Sequence, residues 1–375
     1  MCVKKFNMTY KKEYEEWQAN PLDYWDKKAN EVIWNKKWSS IIKQDDNNSW
    51  TWFPNGELNT CYNCIDFHIN NGKGNKIALI YDSPITNQKK SYTYNDLLYK
   101  TSKIAGALKN HGVTKGDRVL IYMPMIPEAV ASMLACARIG AIHVVVFGGF
   151  APNELSTRIN DSQPKVIIAG SCGIEPGKII EYKPMLDKAI ELSTHKIKSC
   201  FIYQRNIKKA NLIEGRDYDL EILMQNSDPA KPVSVKSQDP LYILYTSGTT
   251  GDPKGMVREN GGHAVALKNS MQMIYGVNSN DVFWAASDIG WVVGHSYIVY
   301  GPLLKGCTTI LYEGKPVGTP NAGAFWRVIS EYNVSVMFTA PTALRAIKRE
   351  DPEGKEIKNY DLKNFRMQFL AGERA

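Results

Sequence analysis

The chain has no run of about eighteen apolar residues, the length a helix needs to cross a bilayer, so a membrane-spanning helix is not expected. Its first residues, Met1-Cys-Val-Lys-Lys-Phe-Asn-Met8, lack an apolar core and turn acidic at Glu13, so no secretion signal is expected; a cytoplasmic location is, with an organelle left open. Cysteines number seven, an odd count, scattered at 2, 61, 64, 136, 172, 200 and 307. That excludes a paired disulfide framework and points to a reducing compartment. Cys61-Tyr-Asn-Cys64, with His68 nearby, has the form of a metal or redox pair, but a zinc site wants a second close pair and none follows. No metal ligand set is therefore expected. The net charge of +8 comes from dispersed basic residues. The densest group (Lys196, Lys198, Arg205, Lys208, Lys209) has only Phe201 and Tyr203 among it, short of a nucleic-acid stripe, and reads as a solvated lysine-rich face. Neither nucleic acid nor membrane is expected as a partner. A modest positive bias does favour anionic substrates.

With these excluded, 43% hydrophobic and 22% charged residues describe a globular protein long enough for two domains or one large core. Residues 10–55 are rich in aromatics separated by charges, from Tyr10, Tyr14 and Trp17 to Trp50, Trp52 and Phe53. They predict amphipathic helices over 13–19 and 21–30 lying on a larger body, with the aromatic stripe as packing. The helical segment is set at 1–65 and the main domain at 66–375. From Ile77 short apolar strands alternate with helices: strands 77–81, 90–94, 118–123, 142–147, 165–169 and 200–203, and helices 94–111, 127–138, from about 152, and 178–192. Such alternation predicts an α/β fold of layered βαβ units, with ligands at the C-terminal ends of strands. The polar stretch 205–240, with Asp228-Pro229, Lys231-Pro232 and Asp239-Pro240, reads as a connector. A second half follows: strands 241–246, 282–286, 308–312, 334–338 and one from 368, and helices 259–275, 295–304, 323–332 and 341–349.

One stretch stands out. Leu241–Tyr245 is apolar, aromatic and β-branched, and it runs straight into Thr246, Ser247, Gly248, Thr249, Thr250 and Gly251, then Asp252-Pro253-Lys254-Gly255. Four hydroxyls and two glycines in six residues make a concavity of donors suited to an anion, and Lys254 adds a mobile point charge. The ordinary P-loop pattern fails, because Gly248 is followed five residues later by Pro253, and Lys254 by Gly255.

Thr246–Gly255 resembles the phosphate-binding signature of the adenylate-forming enzymes. The match continues through Gly261-Gly262-His263, Ser287-Asp-Ile-Gly-Trp-Val-Val-Gly-His-Ser-Tyr297, Tyr312-Glu-Gly-Lys-Pro316 and Phe338-Thr-Ala-Pro-Thr-Ala-Leu-Arg345. Together these resemble the short-chain acyl-CoA synthetases, the propionyl type more than the acetyl type, from about Tyr14 to Ala375. The resemblance implies a two-step reaction. A carboxylate attacks the α-phosphate of ATP and expels pyrophosphate, and the thiol of coenzyme A then displaces AMP from the acyl-adenylate. ATP with Mg²⁺ and coenzyme A are the implied co-substrates, and a small carboxylate is the third. Thr246 and Lys254 become the catalytic positions, and Thr246–Gly251, Lys254 and Gly372-Glu373-Arg374 the ATP contacts. Trp291, Val292, Val293 and Ala371 become the acyl pocket. Ala371 stands where the acetyl branch has valine, and room for one methylene at about 0.8 kcal/mol favours propionate up to tenfold. Glu175, Pro176, Gly177 and Lys178, read as a glycine-rich turn opening a helix, become the coenzyme A loop, with Lys178 on phosphate and Glu175 on base, ribose or backbone. Phe147-Gly148-Gly149 is its second wall. His263 and His295 are expected to be hydrogen-bonded interior histidines. The family's later elements, among them the hinge and the small C-terminal domain with its lysine, have no counterpart here, so the chain reads as an N-terminal portion. It is then a ligase whose activity belongs to a longer protein, with acetate as the alternative acid, or a non-catalytic nucleotide- or coenzyme-A-binding fragment.

Overall fold

A computed structural model describes residues 2–44, 46, 48–246 and 253–374, with side chains from Tyr10 onward. Two twisted sheets carry the fold. The first has seven strands in the spatial order Asp217–Asp219, Ser199–Tyr203, Val166–Gly170, Arg118–Tyr122, Ile142–Val145, Pro240–Thr246 and Lys254–Glu259. All neighbours run parallel except the last pair, an antiparallel hairpin. The second has six strands: Met367–Leu370, Val336–Thr339, Val282–Ala286, Thr308–Tyr312, Ile77–Ser83 and Gln88–Thr93. It is parallel as well, and it too ends in an antiparallel hairpin. The fold is α/β, as the alternation of apolar strands and helices predicts.

Local chemistry explains the elements. Ile142–Val145 and Val166–Gly170 are buried throughout, which is why they read as unbroken apolar runs rather than alternating ones. Helix Tyr94–Asn110 starts at a capping box, with Thr93 Oγ1 accepting the Asp96 N–H at 3.1 Å and Asp96 accepting the Thr93 N–H at 2.8 Å. Helix Pro127–Ile139 is buried on every face, begins with proline and stops at Gly140, whose φ of +72° only glycine adopts at little cost.

The N-terminal aromatics pack as expected: Trp34, Trp38 and Phe53 meet edge to face with ring centres 4.9–5.5 Å apart. Helix Pro21–Ala29 reaches the main body where the Asn269 amide donates to the Tyr24 hydroxyl at 3.2 Å. Cys61 and Cys64 share the short helix Thr60–Cys64, and burial pushes the Cys61 thiol up to about 12, so neither behaves as a reactive thiolate.

Two expectations need correction, and two features were not anticipated. The residues after the phosphate loop form a strand, Lys254–Glu259, ahead of helix Gly261–Met273, so the loop joins two strands and does not open a helix. Its side chains are largely exposed on a sheet edge, so no alternation marks it. The segment read as helix 178–192 begins with a strand: Cys172–Glu175 and Lys178–Glu181 form a small hairpin, and the helix is Tyr182–Leu192. The connector 205–240 holds strand Asp217–Asp219 and helix Leu220–Asn226, which extend the first sheet. Finally, Ile77–Ser83 belongs to the second sheet, between Thr308–Tyr312 and Gln88–Thr93.

Candidate functional site

A cavity of about 470 Å³ opens between the two sheets, at the C-terminal ends of their parallel strands. From the first sheet come Phe147, Gly148 and Gly149, just beyond Ile142–Val145, and Ile174, Glu175, Ile180 and Tyr182 of the small hairpin and its helix. From the second come Ser287 and Asp288 after Val282–Ala286, Glu313 to Pro316 after Thr308–Tyr312, and Ala343 of helix Pro341–Glu350. This is the place where an open parallel sheet accepts ligands.

Glycine is required at the wall. A Cβ on Gly148 would lie 2.1 Å from the Tyr182 hydroxyl, and one on Gly173 would lie 2.5 Å from it. Tyr182 in turn stacks on Tyr122 with ring centres 4.7 Å apart. Two glycines thus let the backbone close on one fixed ring and leave the cavity floor open.

The polar groups divide into a fixed pair and a looser set. Arg205 and Glu313 form a buried two-pronged ion pair at 2.8 and 2.9 Å that ties one sheet to the other. The Tyr81 and Ser83 hydroxyls donate to the same carboxylate at 2.5 and 2.9 Å. Asp288 accepts the Gly290 N–H at 2.7 Å, yet burial pushes its carboxyl up to about 6. Lys315 meets Glu175 at 3.4 Å across the mouth, both about half exposed.

The coenzyme A residues inferred from sequence are placed as follows. Phe147, Gly148, Gly149 and Glu175 line the cavity. Pro176 and Gly177 form the hairpin tip, with Gly177 at a φ of +74°, and exposed Lys178 stands opposite Glu175 in register. Glu175, a carboxylate beside the residues inferred for phosphate, has its own cation in Lys315. Lys315 and Asp288 lay inside the matched motifs without a role, because their partners and the cavity they share come from distant segments.

The nucleotide residues are only partly visible. Ser247, Gly248, Thr249, Thr250 and Gly251 lie outside the described residues. Thr246 and Lys254, both exposed, flank them as register partners at the end of the hairpin where its two strands are joined. Gly372, Glu373 and Arg374 follow the edge strand Met367–Leu370, with Gly372 at a φ of +104°. Glu373 is engaged at the start of helix Pro341–Glu350: it accepts the Thr342 N–H at 2.8 Å and pairs with Arg345 at 3.0 Å, and these contacts hold its carboxyl below the usual range. The Arg374 carbonyl accepts from Arg345 as well.

The four acyl-pocket residues do not line one common cavity. Trp291 lies beside Phe147 with ring centres 5.8 Å apart, and Ala371 is exposed beyond Leu370, its N–H bonded to the Thr339 carbonyl. Val293 packs against the core, and Val292 faces a second cavity with Tyr242, His263 and Ser296. His295 and His263 are interior, as expected, but each is only half satisfied. His295 Nδ1 meets the Trp291 carbonyl at 3.1 Å, and His263 Nε2 meets the Tyr242 hydroxyl at 3.5 Å. His295 Nε2 and His263 Nδ1 have no hydrogen-bond partner among the described residues. Burial pushes both down, to about 4 and about 3, so neither holds a proton near neutrality.

Among the described residues, no group of three or more His, Cys, Asp or Glu is placed to hold a metal ion, and no helix is long and apolar enough to cross a membrane. Comparison with known proteins gives the same direction as the geometry. Residues 10–64 match the family described as acetyl-coenzyme A synthetase N-terminus, and residues 67–375 match the family described as AMP-binding enzyme. The mitochondrial acyl-CoA synthetase short-chain family member 3 of Homo sapiens is 53% identical over 97% of this chain and 53% of its own length. An uncharacterized protein of Pseudomonas aeruginosa is 51% identical over 98% of this chain and 58% of its own, and the acetyl-coenzyme A synthetase of Leptospira biflexa 41% identical over 97% and 56%. The chain spans about half the length of the curated relatives it matches. With an AMP-binding match over most of its length and relatives among the short-chain acyl-CoA synthetases, the chain belongs to the AMP-binding enzyme family.

Proposed function

We propose that this chain forms the adenylation body of an AMP-forming short-chain acyl-CoA synthetase that takes propionate, ATP and coenzyme A. The observation that carries the reading is the cavity between the sheets, where Phe147 to Gly149 and Glu175 meet Asp288 and Lys315. A pantetheine-like chain threading that cavity would pass between Phe147, Gly148 and Gly149 on one side and Asp288 and Lys315 on the other. Lys315 and Lys178 stand at its mouth for phosphates. Thr246, Lys254 and the loop between them supply the donors for the triphosphate, with no protein nucleophile required, since positioning and charge neutralisation carry the first step. Mg²⁺ would enter with the triphosphate as part of the substrate complex. The preference for propionate over acetate rests on the small Ala371. The described cysteines other than Cys2 are all buried and free, which suits a reducing compartment.

The test is propionate-dependent exchange of pyrophosphate into ATP by the 375-residue chain, with acetate and butyrate alongside. Exchange led by propionate supports the whole reading. Exchange led by acetate removes the specificity and keeps the reaction. No exchange by folded protein that still binds ATP would make the chain a binding portion of a longer ligase.

A further inference from the structure

The second cavity, of about 400 Å³, lies between the N-terminal aromatic segment and the hairpin base of the first sheet. It is large enough for a ligand of drug-fragment size. One side is apolar and aromatic: Trp25 and Trp52, whose rings meet edge to face at 5.9 Å, with Phe53 and Leu267. The other side is polar, with Arg258, Glu259, His263 and Ser296.

Two charges there lack counterparts. Neither the exposed Arg258 nor the half-buried Glu259 makes an ion pair with any described residue, although they are neighbours at the end of strand Lys254–Glu259. Arg258 lies close enough to Tyr242 and His263 to act on both, and the Gly262 N–H acts on Glu259. The buried Nδ1 of His263, on the same wall, has no hydrogen-bond partner among the described residues. An unpaired cation, an unpaired carboxylate and an unsatisfied imidazole nitrogen beside an aromatic wall call for one ligand with both charges and an apolar body.

We infer that this cavity is a binding site for a free α-amino acid with an apolar side chain, its carboxylate toward Arg258, its ammonium toward Glu259 and its side chain against Trp25 and Trp52. None of the residues proposed to hold the two charges belongs to the cavity between the sheets, although Val292, inferred for the acyl pocket, lines this cavity too. Titration calorimetry on the full 375-residue chain tests it, using L-phenylalanine, 3-phenylpropionate and phenethylamine. Phenylalanine is expected to bind at one site, at least tenfold tighter than either single-charge analogue. Arg258→Gln should weaken phenylalanine about tenfold and leave phenethylamine unchanged, and Glu259→Gln should weaken phenylalanine and leave 3-phenylpropionate unchanged. Ala266 is exposed on the rim, so Ala266→Trp should block all three ligands while the melting temperature without ligand stays the same. Failure of phenylalanine to bind, equal affinity for 3-phenylpropionate, or binding that survives Ala266→Trp in folded protein would each overturn the assignment.

Discussion

Replacing Glu313 by glutamine isolates the link between the two sheets. The side chain keeps its shape and one carbonyl oxygen, so the Tyr81 and Ser83 hydroxyls, at 2.5 and 2.9 Å, still have an acceptor. Arg205 does not fare as well. Its two bonds, at 2.8 and 2.9 Å, now face an amide with donors of its own, and a buried guanidinium is left without a counter-charge. Breaking one partner of a buried pair costs about 3–5 kcal/mol. With an unfolding entropy of about 2.1 cal/mol/K per residue over 375 residues, that is a fall in melting temperature of about 4–6 °C if the chain melts as one unit. Removing the stranded charge should restore most of the loss, so Arg205→Met with Glu313→Gln is expected within about 1.5 kcal/mol of the parent. The assay is thermal and urea unfolding of the parent, the single variant and the double variant, followed by circular dichroism. A single Glu313→Gln variant as stable as the parent, or a double variant no better than the single, would refute the account.

Four further outcomes follow from the site. Gly148→Ala should slow thioester formation and destabilise the chain by about 1–3 kcal/mol, because the new methyl meets the Tyr182 hydroxyl at 2.1 Å; stopped-flow thiolation and melting together check it. Lys254→Ala should lower pyrophosphate exchange a hundredfold or more with an unchanged melting temperature, since Lys254 is exposed. Asp288 is held nearer its protonated form in the folded chain, so it lowers stability as pH rises from about 4 to about 6. Asp288→Asn should therefore gain about 1–3 kcal/mol at pH 7 and nothing below pH 4 in urea titrations. The histidines act in the opposite direction: the unfolded chain takes up protons near pH 6.5, while His263 and His295 resist them to about 3 and 4. Stability should fall as pH drops from about 6.5 toward 4, and His295→Gln should flatten that slope.

What could be read from the sequence is what short-range chemistry dictates. Pro127 and Gly140 bracket a helix in the letters themselves, as do Thr93 and Asp96 at the start of another. Buried strands such as Val282–Ala286 and Thr308–Tyr312 announce themselves as apolar runs, and their bounds match expectation. Lys254–Glu259 was illegible because an edge strand with exposed side chains needs no alternation, and Lys178–Glu181 because four residues borrow their geometry from Cys172–Glu175. The site divides along the same line. Phe147, Gly148, Gly149 and Glu175 could be found because they sit in stretches that resemble the family's motifs. The duties of Asp288, Glu313 and Lys315 depend on Arg205, Glu175 and the closure of two sheets, and no local pattern encodes those pairings.

The placement of strand Ile77–Ser83 sets a timetable for the chain's birth. Its parallel neighbour, Thr308–Tyr312, is made some 230 residues later, since Leu79 stands beside Thr309. At ribosomal rates of about 5–20 residues per second, that strand waits on the order of 10–50 s with only Gln88–Thr93 beside it. Residues 118–259, by contrast, supply the whole first sheet in one continuous stretch and can settle while the remainder is still being translated. The second sheet must then be assembled around a finished neighbour, from its two earliest strands and its last four. During that interval the apolar Ala-Leu-Ile-Tyr run at 78–81 is the segment most in need of a chaperone's cover.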